Sequence, residues 1–226
     1  MHDIIQIAGI IDQAEADLLV EEGVAWLGFP LRLPVHREDL PEDEAARIIR
    51  CLRPPTRGVL ITYLSRADEI LALCELLGTR TVQLHGDLPP AEARRLKAVA
   101  PDLFLIKSLV VRGPNTGALE NTVRELESFA DAFITDTYDP STGASGATGK
   151  IHDWSISRRL MALCPRPFIL AGGLNPGNVQ QAIREVGPAG VDAHTGVEGT
   201  DGRKDRNLVR RFVEQARAGF ATSRRT

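Results

Sequence analysis

The chain has 226 residues, of which 43% are hydrophobic and 25% are charged, and its formal net charge is −3. This length fits one large domain or two small ones with a sizeable core. The charge provides no electrostatic basis for binding nucleic acid or an anionic membrane surface, and no apolar run approaches the ~20 residues that cross a bilayer.

Short apolar strands alternate with amphipathic helices along the whole chain. Strands are predicted at 4–10, 25–31, 57–64, 81–86, 103–111, 132–138, 167–174 and 190–196. Helices are predicted at 12–22, 42–53, 66–77, 89–99, 116–128, 154–164, 176–186 and 205–218. Near-continuous apolar strands are typical of a parallel sheet covered on both faces. Eight βα units favour a closed barrel over an open sheet, so we predict a single-domain (β/α)8 TIM barrel over residues 1–220, followed by a frayed tail at 221–226.

Residues at the predicted helix ends support these boundaries. Asp12 and Glu15 match a capping box, so Asp12 is expected to cap the first helix and not to act in catalysis. Ser65 could cap the third helix. The pair Asn175–Pro176 reads as an N-cap followed by proline at the first position of the seventh helix.

The cysteines and the N-terminus indicate the cellular compartment. Cys51, Cys74 and Cys164 each lie among apolar residues of a predicted helix, and their odd number favours small buried side chains in a reducing environment. The first strand begins within a few residues of Met1, which leaves no room for a signal peptide. We therefore expect a cytoplasmic protein.

Glycine turns follow the last two strands. In such barrels, chemistry takes place at the C-terminal ends of the strands, and the loops after strands seven and eight commonly bind phosphate. Gly172 and Gly173 end strand seven, and Gly196 follows strand eight. Glycines let backbone N–H groups approach an anion closely. We predict a phosphate site there; the alternative is that these glycines serve only tight packing.

Asp136 ends strand six at the barrel mouth. A carboxyl group there could act as a general acid if burial raised its pKa. The alternative is a carboxylate that accepts hydrogen bonds from nearby loop amides. The Gly/Ser/Thr-rich segment that follows, DPSTGASGATG, is long for a βα loop and is predicted to be a lid.

Four further polar residues fall near predicted strand ends. His85 could be catalytic or a structural hydrogen-bonding residue. His194 lies in strand eight, which neighbours strand one in a closed barrel, so it could sit close to Ala8 or face outward beneath a helix. Arg37 could bind a carboxylate or phosphate, or be a solvated surface residue. Lys107 could form a Schiff base or, as the simpler interpretation, pair with an anion.

Metal and cofactor motifs are missing from the sequence. There is no HExxH, no CxxC, no spaced histidine pair and no P-loop. We expect neither a metal nor a cofactor.

Several segments, taken together, resemble one enzyme family. They are VQLHGD, the Asp136 strand with its glycine loop and the following HDW, LAGGLNPGNV, and VDAHTGVEGTDGRKD. They resemble phosphoribosylanthranilate isomerase of tryptophan biosynthesis, most strongly from residue 81 onward. The resemblance implies a (β/α)8 barrel that binds a small phosphorylated sugar and opens its ring by an Amadori rearrangement without a cofactor. A monomer and a homodimer both remain open.

The resemblance also implies roles for individual residues. Asp136 would be the general acid that protonates the ring oxygen. Phosphate would meet the backbone around the two glycine turns, namely Gly172, Gly173, Thr195 and Gly196. The other implied substrate contacts are Arg37, which falls at the offset of the family's carboxylate-binding arginine, and His85, Lys107 and Asp192.

The first strand departs from the family pattern. The family has KICGI there, with the cysteine as the general base that removes the sugar C2 proton, whereas this chain reads QIAGI and has Ala8 at that position. A general base contributes about 10²–10⁴ in rate. Three hypotheses follow: the base has moved to His194, with His85 and His36 as further choices; the barrel acts on another phosphorylated sugar; or it is a non-catalytic binder of a phosphorylated ligand.

Overall fold

The computed structural model describes residues 2–34, 38–113, 115–137 and 151–223. The strands are β1 Ile4–Ala8, β2 Trp26–Pro30, β3 Arg57–Thr62, β4 Thr81–Leu84, β5 Phe104–Val111, β6 Ala132–Thr137, β7 Phe168–Leu170 and β8 Gly190–Ala193. The helices are α1 Gln13–Glu21, α2 Glu42–Cys51, α3 Ala67–Leu77, α4 Pro90–Val99, α5 Thr116–Leu126, α6 Trp154–Met161, α7 Val179–Val186 and α8 Arg206–Ser223.

The eight strands close into a parallel barrel in sequence order. The closure is the pairing of β1 with β8, in which Gln6 lies opposite Asp192 and Ile7 lies opposite Ala193. This topology confirms the predicted (β/α)8 TIM barrel. It also brings the C-terminal end of the first strand next to the C-terminal end of the last.

Strand alternation divides the core into two layers. Side chains at successive strand positions face opposite sides, so Ile5 and Ile7 pack toward the helices while Ile4 and Ala8 face the barrel interior. The apolar part of the interior is formed by Ile4, Ala8, Trp26, Val59, Ile61, Ile106, Ala132, Ile134, Ile169 and Ala171. Burial of these two layers makes the barrel a rigid frame for the groups at its mouth.

Two predicted helix starts differ from the structure, by one residue for α3 and by three for α7. Helix α3 is preceded by Arg66, without a side-chain cap, so Ser65 does not cap it. Helix α7 begins at Val179, because Asn175 forms a turn in which its Oδ1 accepts a hydrogen bond from the Gly177 N–H at 2.8 Å. The chain thus makes one local turn after β7 before the helix starts.

The predicted cap of the first helix is confirmed. Asp12 Oδ1 accepts a hydrogen bond from the Glu15 N–H at 2.9 Å. Glu15 Oε2 accepts from the Ile11 N–H at 3.3 Å, one residue earlier than a standard capping box requires. Asp12 therefore fixes the start of α1, as the sequence predicts.

The cysteines and the C-terminus differ from their predictions. Cys74 is buried, as expected, but Cys51 is exposed and Cys164 is half-buried, because each lies near a helix end; all three are free thiols. Residues 221–223, assigned from sequence to the tail, continue α8, whose neighbouring Phe220 is buried in the core. None of the helices in the described part of the chain is both long enough and apolar enough to span a membrane.

Candidate active site

Polar side chains occupy the inner face of the barrel near the C-terminal ends of several strands. On β5 and β6 a polar residue follows an inner apolar residue by two positions, as Ser108 follows Ile106 and Asp136 follows Ile134. This spacing keeps the polar residues on the inner face and nearer the mouth. The other members of this buried polar set are Gln6, Gln83, His85 and Asp192.

A chain of hydrogen bonds connects three strands, β1, β4 and β5, across the interior. Gln6 Nε2 donates to Gln83 Oε1 at 2.9 Å, and Gln83 Nε2 donates to Ser108 Oγ at 3.4 Å. His85 Nδ1 lies 3.1 Å from the same Ser108 oxygen, and its ring is 4.9 Å from that of Tyr63. The network places His85 inside the barrel, in hydrogen-bonded contact with its neighbours.

The two glutamines and the serine were missed by the sequence reasoning. A signal for them was present, because each is a polar residue within a largely apolar strand: IIQIA, TVQL and LIKSL. A polar residue in such a strand must find a partner inside the barrel. Which partner it finds depends on register and could not be read from one strand alone.

Asp136 is buried at the end of β6, with 7% of its surface exposed. Burial raises the pKa of its carboxyl to about 7, while the Thr137 N–H, which donates to Asp136 Oδ1 at 2.7 Å, acts in the opposite direction. A carboxyl group with this pKa is about half protonated at pH 7. It can therefore donate a proton under neutral conditions.

Asp192 is a second buried carboxyl group, near the C-terminal end of β8. Its pKa is raised well above the ordinary value, first by burial and then by the charge of nearby Asp136. A hydrogen bond with the Gln6 side chain and the charge of Lys204 oppose this rise. Asp192 Oδ1 is buried and accepts no hydrogen bond from any residue that the structure describes.

Ala8 is the last residue of β1, and its side chain is apolar. It is 5% exposed, faces the interior and pairs with Gly28 of β2. The close approach is visible at Gly28, where an added Cβ would lie 2.9 Å from the Ala8 Cβ. The inner end of β1 thus holds no group that can accept a proton.

The structure places His194 beside β1, against Gly9. A Cβ added to Gly9 would lie 2.1 Å from His194 Nε2, and Gly9 has φ +78°, so this residue must be glycine for two reasons. His194 Nε2 is 3.4 Å from Glu198 Oε1. Burial, followed by the charge of Lys204, lowers the pKa of His194 to about 3. The imidazole is therefore neutral at pH 7.

A buried lysine ties the loop after β8 to its surroundings. Lys204 Nζ lies 2.6 Å from Glu198 Oε1 and 3.4 Å from the His194 carbonyl oxygen. The Lys204 N–H donates to Glu15 Oε1 at 2.9 Å, which connects this loop to α1. His194 and Glu198 are thus held by a local network of charges that the sequence reasoning did not identify.

The two glycine turns pack directly against each other. A Cβ added to Gly196 would lie 1.9 Å from the Leu174 carbonyl oxygen, and Gly172 and Gly173 have φ +92° and +65°. The backbone N–H groups of Gly172, Gly173, Thr195 and Gly196 donate no hydrogen bond to the residues that the structure describes. These four donors lie on one rim, after β7 and β8.

His152 supports the first of these turns. Its Nδ1 lies 3.0 Å from Thr137 Oγ1 and its Nε2 lies 2.7 Å from Ser157 Oγ. Burial lowers the pKa of His152 to about 4, so the ring stays neutral. A Cβ added to Gly172 would lie 2.1 Å from Thr137 Oγ1 and 3.3 Å from His152 Nδ1. These contacts explain why the turn after β7 accepts only glycine.

Lys107 lies in the middle of β5 and not at its end, which corrects the sequence prediction. It alternates with Ile106 and Ser108, which are inner positions, so its side chain leaves the opposite face of the strand. Its Nζ donates to the Ser108 carbonyl at 2.7 Å and to the Leu84 carbonyl at 3.3 Å. Burial lowers the pKa of Lys107 to about 8. Its contact with a substrate stays a prediction.

Arg37, His36 and the proposed lid after β6 lie outside the described residues. Within the described ranges, no group of three or more His, Cys, Asp or Glu side chains could hold a metal ion.

Comparisons with known proteins identify the enzyme family. A family model described as N-(5'-phosphoribosyl)anthranilate (PRA) isomerase matches residues 5–215. N-(5'-phosphoribosyl)anthranilate isomerase 2 of Methanosarcina mazei is 37% identical over 217 residues, which are 96% of this chain and 95% of the relative. The crystal structure of phosphoribosyl anthranilate isomerase from Thermotoga maritima superposes with a TM-score of 0.79 at 29% identity, covering 95% of this chain and 98% of that one.

A further solved structure carries a ligand. It is phosphoribosyl anthranilate isomerase in complex with reduced 1-(o-carboxyphenylamino)-1-deoxyribulose 5-phosphate. It superposes with a TM-score of 0.77 at 27% identity and covers 95% of this chain and 98% of that chain.

Proposed function

This chain belongs to the N-(5'-phosphoribosyl)anthranilate isomerase family, and on that premise we propose that it isomerises N-(5'-phosphoribosyl)anthranilate, an aldose derivative, to the ketose. The observation that carries the proposal is Asp136, a buried carboxyl at the barrel mouth with a pKa of about 7. No cofactor is needed, because the reaction only moves protons and the electron pairs that they leave behind. A cytoplasmic location and a monomeric or homodimeric state are part of this proposal.

Asp136 would act as the general acid. Its proton would pass to the ring oxygen of the sugar while the bond between that oxygen and C1 breaks, and the substrate nitrogen would form a double bond to C1. Burial keeps this proton on about half of the molecules at pH 7, where an ordinary aspartic acid is ionised. A base must then remove the proton from C2.

The phosphate would bind at the rim after β7 and β8. Support comes from the four backbone donors of Gly172, Gly173, Thr195 and Gly196, which form no hydrogen bond to the described residues. Backbone N–H groups in glycine turns suit a phosphate dianion because the chain can approach it without side-chain obstruction. In this arrangement the phosphate anchors the sugar, and binding energy at the anchor aligns C1 and C2.

The remaining substrate contacts would come from the mouth of the barrel. His85 and Asp192 face the interior and can bind sugar hydroxyl groups. Arg37 would bind the carboxylate of the aromatic ring. These assignments rest on the family resemblance.

His194 is the base that the sequence predicts. Support comes from its position beside Gly9 and from Glu198, whose carboxylate can accept the Nε2 proton and so leave Nδ1 free to act as the base. The ring is neutral at pH 7 and can therefore accept a proton. A pKa of about 3 nevertheless makes it a weak base for a carbon acid.

The test is turnover of N-(5'-phosphoribosyl)anthranilate, followed as loss of the substrate's fluorescence. The wild-type protein and Asp136→Asn are compared, with Asp43→Asn as an isosteric control on the exposed start of α2. We expect turnover by the wild type and by Asp43→Asn, and its loss in Asp136→Asn. Equal rates for all three proteins would exclude Asp136 as the acid.

Ala8 supports a second candidate function, because the inner end of β1 has no proton acceptor. The chain would then be a non-catalytic binder, or would act on a different phosphorylated sugar. Binding of N-(5'-phosphoribosyl)anthranilate without turnover, measured by calorimetry, would favour the binder. Turnover of another pentose or aldose phosphate, with none of this substrate, would favour the different sugar.

A further inference from the structure

An isomerase with alanine at the end of β1 needs a proton acceptor elsewhere in the mouth. We propose that Asp192 is the general base, working with Asp136 as the general acid, so that two buried carboxyl groups share the proton transfers. This inference rests on the proposed isomerase function and names a catalytic residue for it. It gives Asp192 a chemical role beyond contact with the substrate.

The register of β1 and β8 places Asp192 next to the vacant position. Asp192 lies opposite Gln6, and Ala8 is the next inner residue of β1 after Gln6. With strands about 4.8 Å apart and a rise of about 3.3 Å per residue, the Cα atoms of Asp192 and Ala8 are about 8 Å apart. A carboxyl group that extends from β8 toward the mouth can therefore serve the same substrate carbon that a group on residue 8 would reach.

Two buried oxygens beside this position lack a hydrogen-bond donor. Asp192 Oδ1 and Gln6 Oε1 are both fully covered, and neither accepts a hydrogen bond from the residues that the structure describes. The Gln6 amide nitrogen is engaged with Gln83. Leaving a buried acceptor unpaired costs about 1–3 kcal/mol. Such a pair of acceptors is explained if donors arrive with the substrate, whose sugar hydroxyl groups can supply them.

The surroundings of the two carboxyl groups favour a proton held between them. Burial and the charge of Asp136 raise the pKa of Asp192 well above its ordinary value, while a hydrogen bond with Gln6 and the charge of Lys204 oppose this rise. Asp136 has the Thr137 N–H as its hydrogen-bond partner and is otherwise dominated by burial, which favours the protonated form. Two neighbouring carboxyl groups in one site resist double ionisation and retain a shared proton. The proposed reaction proceeds from the form of the pair in which this proton lies on Asp136 and Asp192 is ionised.

The proton transfers balance over one reaction cycle. Asp136 donates its proton to the ring oxygen, and the C1–O bond breaks as the nitrogen lone pair forms the C=N bond. Asp192 removes the proton from C2, and the electron pair of the broken C–H bond forms C1=C2 while the C=N pair returns to nitrogen. The resulting enol loses its hydroxyl proton as C1 gains one, which gives the ketone at C2. Transfer of a proton from Asp192 to Asp136 restores the pair.

The Asp192→Asn substitution distinguishes a role as a base from a role in substrate binding alone. The amide retains the size of the side chain but cannot accept the proton. We expect kcat for N-(5'-phosphoribosyl)anthranilate to fall by about 10²–10⁴ with KM changed less than threefold. Deuterium at the substrate C2 should slow Asp192→Asn more than it slows the wild type, since removal of that proton becomes rate-limiting. Asp43→Asn serves as the matched control, and circular dichroism confirms that each variant is folded.

A second experiment restores a base at residue 8. In the Asp192→Asn background, Ala8→Cys places a thiol at the neighbouring inner position. We expect the kcat of this double variant to be at least tenfold higher than that of Asp192→Asn. An Asp192→Asn protein with wild-type kcat overturns the inference, as does a double variant no faster than Asp192→Asn with an unchanged isotope effect. Loss of turnover in His194→Ala while Asp192→Asn stays active overturns it in favour of the histidine. A wild type without turnover instead overturns the proposed function.

Discussion

The β6–β8 side of the barrel mouth and the β1 side have the same backbone regularity but different chemistry. The first holds the buried carboxyls of Asp136 and Asp192 and two glycine turns that pack together. The second ends in Ala8 and Gly9, with a neutral imidazole packed over the glycine. Both sides belong to the same closed barrel, but the buried carboxyl groups lie on only one of them. The difference teaches that position in the fold identifies a site, but that only the side chains present decide which groups can move protons.

The largest expected effect is loss of catalysis when the β6 side loses its acid. Asp136→Asn keeps an acceptor for the Thr137 N–H but cannot donate a carboxyl proton. We expect kcat to fall by about 10²–10⁴, with a smaller change in KM. Steady-state fluorescence assays measure this. If Asp136→Asn retained more than a tenth of the wild-type kcat, the chemistry would not be concentrated on this side.

The same substitution should stabilise the fold above neutral pH. The folded protein holds the Asp136 proton up to about pH 7, whereas the unfolded chain releases it near 3.8, the ordinary value for an aspartic acid. The free energy of unfolding therefore falls as the pH rises through this window. At about 1.4 kcal/mol per pKa unit, the full difference is roughly 4 kcal/mol.

Denaturant unfolding of wild type and Asp136→Asn at several pH values tests this sign. We expect the two proteins to be similar near pH 4 and the variant to be more stable at pH 8. Asp43→Asn, at an exposed position, should show no such divergence. A wild type that is more stable than Asp136→Asn at pH 8 would mean that the carboxylate has a favourable partner in the folded state.

The glycine turn after β7 offers the next largest effect. Gly172→Ala combines a positive φ of 92° with a Cβ only 2.1 Å from Thr137 Oγ1. Gly187, at the end of α7, has φ +69° and no atom within 4 Å of an added Cβ, so Gly187→Ala is the matched control for the backbone alone. We expect each substitution to lower the free energy of unfolding by roughly 1–2 kcal/mol, because alanine is strained in the left-handed conformation. Gly172→Ala should lower it by about 1–3 kcal/mol more, because the added Cβ is crowded.

Thermal unfolding and KM together report on this pair. Gly172→Ala should also raise KM, because the crowded turn displaces backbone donors proposed to bind phosphate, whereas Gly187→Ala should leave KM unchanged. Equal losses of stability in both variants would show that Thr137 moves away from the added Cβ without lowering the free energy of unfolding. An unchanged KM for Gly172→Ala would argue against a phosphate at this rim.

The fold could be predicted from sequence because its signals are local. Each strand is an apolar run and each helix is amphipathic, so the alternation of eight pairs indicates a barrel without knowledge of any contact. Local signals were less reliable at helix starts. Asn175–Pro176 has the composition of a helix start, yet the turn closed by Asn175 delays α7 to Val179.

The candidate site could be predicted only in part, because its chemistry depends on pairs of strands. Asp136 was identified from its place at a strand end. Its coupling to Asp192 depends on the curvature of a closed barrel, and the pairing of Gln6 with Asp192 depends on register. Lys107 was placed at a strand end, but β5 extends four residues beyond it, to Val111. Alternation then puts its side chain on the face opposite Ser108.

The smallest expected effect concerns the architecture of the β1 side. Asp12 caps α1 and also lies 2.6 Å from Arg203, an exposed pair that contributes little. Asp12→Ala should lower the free energy of unfolding by about 1 kcal/mol, mainly because the Glu15 N–H loses its acceptor. Asp153→Ala, which removes the cap of α6, is the matched control for loss of a capping carboxylate.

Activity measurements on the two capping variants, made together with the stability measurements, test whether the β1 side takes part in the reaction. Asp12 fixes α1 directly after Ala8 and Gly9, so a reactive group on the β1 side would be displaced when this cap is lost. Because we place the acid and the base on β6 and β8, Asp12→Ala should keep the wild-type kcat while its denaturant midpoint decreases. If kcat decreased by more than the fraction of folded protein does, the β1 side would take part in the reaction. His194 would then be the group to examine.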